Sequence, residues 1–168
     1  MSPAYLLNSL TADQAEAELL KCCGSKRWAG QLLEQRPFAD LQDLLEKADE
    51  TWWSLGSDDW LEAFRSHPQI GGRKAEQTQS ATAKAWSEQE QSGTRESAQE
   101  TMAALESGNR AYAERFGFIF IVCATGKSAE EMLSILDSRL DNDPKTELKV
   151  AAEEQRKITN IRLNKLVR

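Results

Sequence analysis

The chain has 168 residues, 40% of them hydrophobic and 29% charged, with a formal net charge of -6. That is the size of one domain with enough apolar material for its own core, and the acidic balance opposes the attraction on which polyphosphate binding depends. The longest apolar run, Phe118 to Ala124, is too short to span a bilayer, and the opening MSPAYLLNSLTADQ lacks the basic start and apolar stretch of a secretory signal. The expectation is a cytoplasmic single domain over 1–168, with no nucleic-acid and no membrane partner. Of the three cysteines two are adjacent, at 22 and 23, which implies no disulfide framework. With one histidine and no CxxC pair, the usual zinc ligand sets cannot be assembled, so no metal is expected.

In chain order, Thr11 to Gln14 has the form of a capping box, opening a helix over about 12–23 that Gly24 stops. Trp28, Leu32 and Leu33 share one face of a second segment, which must end before Pro37 because the residue preceding a proline is driven out of the helical region. Asp40 begins a third, with Leu41, Leu44, Leu45, Ala48 and Trp52 at helical spacing up to Gly56. Ser57 starts a fourth, in which Trp60, Leu61 and Phe64 form the apolar face, Asp58 and Asp59 favour the N-terminus, and Pro68 enforces the end. From Gly71 to Ser80 the chain is glycine and polar residues without a period, which reads as a loop exposed enough to carry function.

From Ser87 to about Phe116 a long polar segment carries Met102, Leu105, Tyr112 and Phe116 on one stripe, with Gly108 as an interruption. GFIFIVCATG, residues 117–126, reads either as a buried strand or as a buried extended connector, since periodicity cannot separate the two in so short a run. Ser128 and Glu131 form a capping box for a helix reaching Leu140, and Asp143 with Pro144 opens the last and longest one. One strand cannot build a sheet. The fold class is therefore all-α, with about seven or eight helices packed at mixed angles.

His67 is the one imidazole, placed at a helix end before Pro68 and a Gly71-Gly72 loop that permits close backbone approach to a ligand. Such a histidine serves either structure or catalysis. Glu90 closes a Ser87-x-x-Glu90 capping box, and a carboxylate at a helix N-terminus is held ionised, so beside His67 it would favour the imidazolium and fix its orientation. On the last helix Leu148, Ala151, Ala152, Gln155, Ile158, Arg162 and Leu166 fall on one stripe that should face the core. An arginine there must snorkel to the surface, reach a buried carboxylate, or point into a cavity that receives an anion. Lys157, Lys165 and Arg168 read as favourable charges in the last turns. Trp28, Trp52, Trp53 and Trp60 read as core material, whereas Trp86, directly before Ser87, either walls a pocket or acts as a hydrophobic staple.

These residues resemble the 2-oxo-4-hydroxy-4-carboxy-5-ureidoimidazoline (OHCU) decarboxylases. The matching words are His67-Pro68-Gln69-Ile70-Gly71, Ser87-x-x-Glu90-Gln91, Asn109-x-x-Tyr112-x-x-Arg115-Phe116-Gly117-Phe118-x-Phe120, Arg139-Leu140-x-Asn142, Glu147 and Ile158-x-x-x-Arg162-Leu163. The resemblance implies an all-helical, cofactor-free enzyme, usually a homodimer, that turns a carbinol acid of urate breakdown into S-allantoin. It implies His67 as the catalytic histidine, Glu90 and Arg162 as polar active-site residues, and Pro68, Ser87 and Gln91 as substrate contacts. Backbone amides after the FGF word meet the ligand in the family, which here points to Phe120, Ile121, Val122, Cys123 and Ala124. Ile119 departs from the pattern, since relatives often carry proline there.

Two other classes compete. A non-enzymatic helical protein-interaction module needs no convergence of His67, Glu90 and Arg162, which the decarboxylase cannot do without. DNA binding would rest on RPFADLQDLLE, which looks like the lead-in to a helix-hairpin-helix, but the acidic balance and the missing glycine hairpin oppose it.

Overall fold

The computed structural model describes residues 2–67 and 95–166. Among them are eight helices: α1 (Pro3–Ser9), α2 (Ala12–Cys22), α3 (Lys26–Leu33), α4 (Leu41–Ser54), α5 (Ser57–Arg65), α6 (Arg95–Phe116), α7 (Ala129–Arg139) and α8 (Pro144–Asn164). No strand occurs among the described residues, and the 118–124 run is an extended connector, which decides the alternative that periodicity left open. The all-α expectation holds. The chain divides into two compact units, Met1–Ser66 with Ala152–Arg168, and His67–Ala151.

Local chemistry explains most of the helix ends. The Thr11 capping box forms in full: Thr11 Oγ1 accepts from the Gln14 amide at 3.2 Å and Gln14 Oε1 accepts from the Thr11 amide at 3.2 Å. Asp40 caps α4 by accepting from the Asp43 amide at 2.8 Å. Ser128 caps α7 by accepting from the Glu131 amide at 3.1 Å, but Glu131 meets the Ser128 hydroxyl at 3.3 Å rather than its backbone, so half of the expected box is present. Helix α1 carries a Ser2 cap and Pro3 in its first turn, a pattern the sequence reading passed over.

Two glycines act otherwise than expected. Helix α2 ends at Cys23 in an extended conformation, so a left-handed glycine is not what stops it. Gly24 instead admits the turn after α5, because a Cβ there would lie 2.5 Å from Ser66 Oγ and 2.6 Å from Ser66 Cβ. Gly108 does not interrupt α6, which runs unbroken; a Cβ there would sit 2.5 Å from Leu136 Cδ2 of α7, and its absence lets the two helices approach. The left-handed glycine that ends α6 is Gly117, at φ 82°.

In the first unit, Trp28, Leu32, Leu44, Trp52, Phe64 and Leu163 are buried. The indoles also bond: Trp28 Nε1 donates to Ala48 O at 3.1 Å and Trp52 Nε1 to Ala152 O at 3.0 Å, so each fills the core without stranding its N–H. Trp53 is an exception to the core reading, 41% exposed and packed edge-on against Trp60. In the second unit, Leu105, Tyr112, Phe120, Val122, Met132 and Leu136 form one apolar cluster. Tyr112 is ringed by Phe116, Phe118 and Phe120 at centroid distances of 4.6, 5.7 and 5.4 Å. The last helix gives its first part, through Ala151, to this unit and the rest to the other.

Candidate active site

Of the residues singled out in the sequence, Pro68, Ser87, Glu90 and Gln91 lie outside the described residues, as do Trp86 and the glycine loop. His67, Phe120 to Ala124 and Arg162 are described. His67 follows α5 by one turn residue, Ser66, whose hydroxyl donates to Ala63 O at 2.6 Å. The side chain of His67 is half-buried, so it is sheltered from bulk water without being sealed off.

The connector lies at the centre of the second unit. Phe120, Ile121, Val122 and Cys123 are all at most 6% exposed. Extended backbone buried in this way needs partners for its polar groups, and here a charged side chain supplies one: Arg139 Nη1 donates to Ile121 O at 2.6 Å. Arg139 ends α7 and is itself buried. Its Nε donates to Glu147 Oε2 at 2.8 Å, its Nη2 makes an ion pair with the same oxygen, and Nη2 also donates to Tyr112 Oη at 3.3 Å. Tyr112 in turn donates to Glu147 Oε2, and Asn142 Nδ2 to Glu147 Oε1 at 3.0 Å. Burial first, and then the bond to Glu147, push the Tyr112 hydroxyl well above its ordinary range, so it stays a donor. The Arg139 guanidinium also lies 4.6 Å from the Phe120 ring centroid.

At the far end of the connector a four-residue turn closes from Ala124 to Lys127, the Lys127 amide donating to Ala124 O at 3.0 Å with Gly126 at φ 77°. Lys127 Nζ donates to Cys123 O at 2.8 Å. The backbone from Ile121 to Cys123 is thus held at two carbonyls by two cations.

Arg162 belongs to the first unit and takes a course between those foreseen. The buried line of α8 is Ala151, Ala152, Gln155, Thr159 and Leu163, which leaves Arg162 half-buried beside it. Its Nη1 donates to Lys21 O at 3.4 Å and Cys22 O at 3.5 Å, at the C-terminal end of α2 where free carbonyls and the helix dipole attract a cation. Arg36 does the same for α1, donating to Leu7 O and Leu10 O at 2.9 Å each. The contacts of Arg162 are long, and a carboxylate or imide oxygen offers a charge-assisted bond a guanidinium would prefer.

The sequence reading quoted Tyr112, Arg139, Asn142 and Glu147 as words of the family pattern without giving them work. Arg139 falls at helical spacing with Met132 and Leu136, and Glu147 with Ala151, so the same signal that drew notice to Arg162, a charge on a core stripe, was present for both. Among the described residues no group of three His, Cys, Asp or Glu stands together that could hold a metal ion. No described helix is long and apolar enough to cross a membrane.

The family model for OHCU decarboxylase matches residues 8–164, nearly the whole chain. The chain belongs to the OHCU decarboxylase family. It is 37% identical over 152 residues to the uric acid degradation bifunctional protein TTL of Arabidopsis thaliana, covering 90% of this chain and 47% of that one. It therefore spans about half the length of that relative. The 2-oxo-4-hydroxy-4-carboxy-5-ureidoimidazoline decarboxylase of Amia calva is 35% identical over 140 residues, 83% of this chain and 77% of its own length. Among solved structures, an OHCU decarboxylase crystallised in the presence of (S)-allantoin superposes with a TM-score of 0.73 at 39% identity, covering 89% of this chain and 96% of that one. In this OHCU decarboxylase family member, His67, Arg162 and the connector held by Arg139 are the described members of the candidate residue set.

Proposed function

We propose that this chain is a cofactor-free carboxy-lyase that converts 2-oxo-4-hydroxy-4-carboxy-5-ureidoimidazoline to (S)-allantoin in urate breakdown. The observation that carries the reading is the family match running through residues 8–164. The whole of 1–168 acts as one such unit, in the cytoplasm and as a homodimer.

The chemistry asks little of the protein beyond placement. As the bond to the carboxylate breaks, carbon dioxide leaves and its electron pair passes into the conjugated ring beside a carbonyl, so the substrate is its own electron sink. The ring carbon that becomes the stereocentre then takes a proton. His67 delivers that proton to one face, Glu90 accepts from the substrate hydroxyl and orients His67, and Arg162 with Gln91 anchors the polar edge of the ring. Pro68 and Ser87 line the substrate, and backbone groups between Phe120 and Ala124 hold its remaining polar edge. Support for His67 comes from its half-buried place one residue beyond the end of α5; support for Arg162 comes from a guanidinium already held at a helix end by contacts long enough to exchange for an anion.

The experiment generates the substrate in place from urate with the two preceding enzymes and follows the circular dichroism of the allantoin formed. The chain should produce the S enantiomer faster than the spontaneous reaction, and His67→Asn should lower that rate by about two orders of magnitude or more while its melting temperature stays put. Racemic product at the spontaneous rate overturns the enzyme reading, and full turnover by His67→Asn overturns the role of the imidazole.

A further inference from the structure

We infer that Arg139, held by Glu147 and Tyr112, is a positioning residue that aims the backbone of the 120–124 connector at the substrate. The inference rests on the decarboxylase reading above and adds to it a cause for the connector's shape.

Among the described residues the connector has no strand neighbour and no helical ladder to fix its peptide planes. Its rotation is instead set by the bond from Arg139 Nη1 to Ile121 O at 2.6 Å. A trans peptide is planar, with its carbonyl and the following N–H pointing in opposite directions. Pinning Ile121 O toward Arg139 therefore turns the Val122 N–H to the side away from the guanidinium. Arg139 cannot drift, because Nε and Nη2 are both committed to Glu147 and the ring of Phe120 lies 4.6 Å from its charge. Glu147 is fully buried and takes further donors from Tyr112 and from Asn142, so that Oε2 accepts from Arg139 and Tyr112 and Oε1 from Asn142. The anchor draws on three elements: Tyr112 from α6, Arg139 from α7 and Glu147 from α8.

A stability role alone would not need this arrangement. Buried ion pairs are often replaceable by apolar side chains of similar volume without loss of stability, whereas an apolar side chain cannot orient a carbonyl. That difference gives the test. In the full chain, the triple substitution Arg139→Met, Glu147→Met, Tyr112→Phe removes the charges and the hydroxyl together, leaving no buried group unpaired among the three. Ile121 O and Asn142 Nδ2 lose their partners, so the melting temperature should fall by a few degrees, while the KM for the ureidoimidazoline acid of the folded fraction should rise about tenfold or more with kcat changed far less. Amide hydrogen exchange at Val122 and Cys123 should speed up by about tenfold while the helical amides of α6 are unaffected.

A role confined to stability would lower the melting temperature or the active fraction and leave KM alone. Unchanged KM together with unchanged exchange at Val122 overturns the inference. Should the triple variant fail to fold, Arg139→Lys is read in the same way, since it keeps the charge but cannot reach Glu147 and Ile121 O at once. A wild-type chain that leaves the spontaneous rate untouched overturns the decarboxylase reading and not the anchor, which the exchange rates then decide by themselves.

Discussion

At the scale of the residue, close approach does more here than conformational freedom. Gly24 sits where a Cβ would meet Ser66 Oγ at 2.5 Å and Ser66 Cβ at 2.6 Å, and the second of these is fixed to the backbone and cannot swing away. Ser66 directly precedes His67. Gly24→Ala should accordingly destabilise the chain by about 1–3 kcal/mol, as overpacking does, and lower turnover by displacing the turn that launches the imidazole. A melting temperature equal to wild type would mean that the turn yields freely. The charged residues follow a similar economy. Arg36 and Arg162 each close the C-terminal end of a helix distant in sequence, while Arg139 is buried where both its ion pair and its carbonyl partner are supplied.

At the scale of the element, ends are written locally and faces are not. The capping residues Thr11, Asp40 and Ser128 act within three residues of themselves, which is why their helices could be placed from the sequence to within a residue or two. Thr11→Ala removes one such bond at an exposed position that takes no part in the proposed chemistry. It should cost about 1 kcal/mol, a fall of about 2–4 °C in melting temperature for a chain of this size, with kcat unchanged. A melt superimposable on wild type would show that Thr11 adds nothing beyond what water supplies. Faces depend on partners. The stripe through Leu148, Ala151, Ala152, Gln155, Ile158, Arg162 and Leu166 meets the buried line at Ala151, Ala152 and Gln155 and then departs from it by one position, since Thr159 and Leu163 are buried where Ile158 and Arg162 are half-buried. Gly108 was misread for the same reason: only its neighbour Leu136 explains a glycine in mid-helix.

At the scale of the whole molecule, the two compact units share α8 along the chain, and each keeps titratable groups protonated by burial. In the first, burial above all pushes the thiol of Cys22 from 9.0 to about 12 and that of Cys23 from 9.0 to about 11, with Arg162 opposing the shift in both. In the second, Tyr112 is raised as well. A group whose pKa is higher folded than unfolded contributes its full stability below the unfolded value and loses it as pH climbs through the folded one. The thiols' share of the unfolding free energy should therefore hold steady below pH about 9 and decline above it, by about 1.4 kcal/mol per pH unit for each thiol within its window. Urea denaturation at pH 8, 9 and 10 measures this, and the combined Cys22→Ala, Cys23→Ala variant should fall less steeply than wild type. Equal slopes would show that the thiols ionise alike in both states.

The sequence by itself determined the helical class, most helix boundaries, and a family whose words run from His67 to Leu163, because hydrophobic period, caps and breakers are properties of neighbours along the chain. The use of Gly24 and Gly108 as contact points, the half-buried seat of Arg162 at the end of α2, and the work of Arg139 were decided only by tertiary structure. Each of these depends on which groups, remote in sequence, meet in space: Ser66 against Gly24, Lys21 O beside Arg162, and Ile121 O with Glu147 around Arg139. A residue's type states what bonds it can make, and the packing of the helices selects the one it makes.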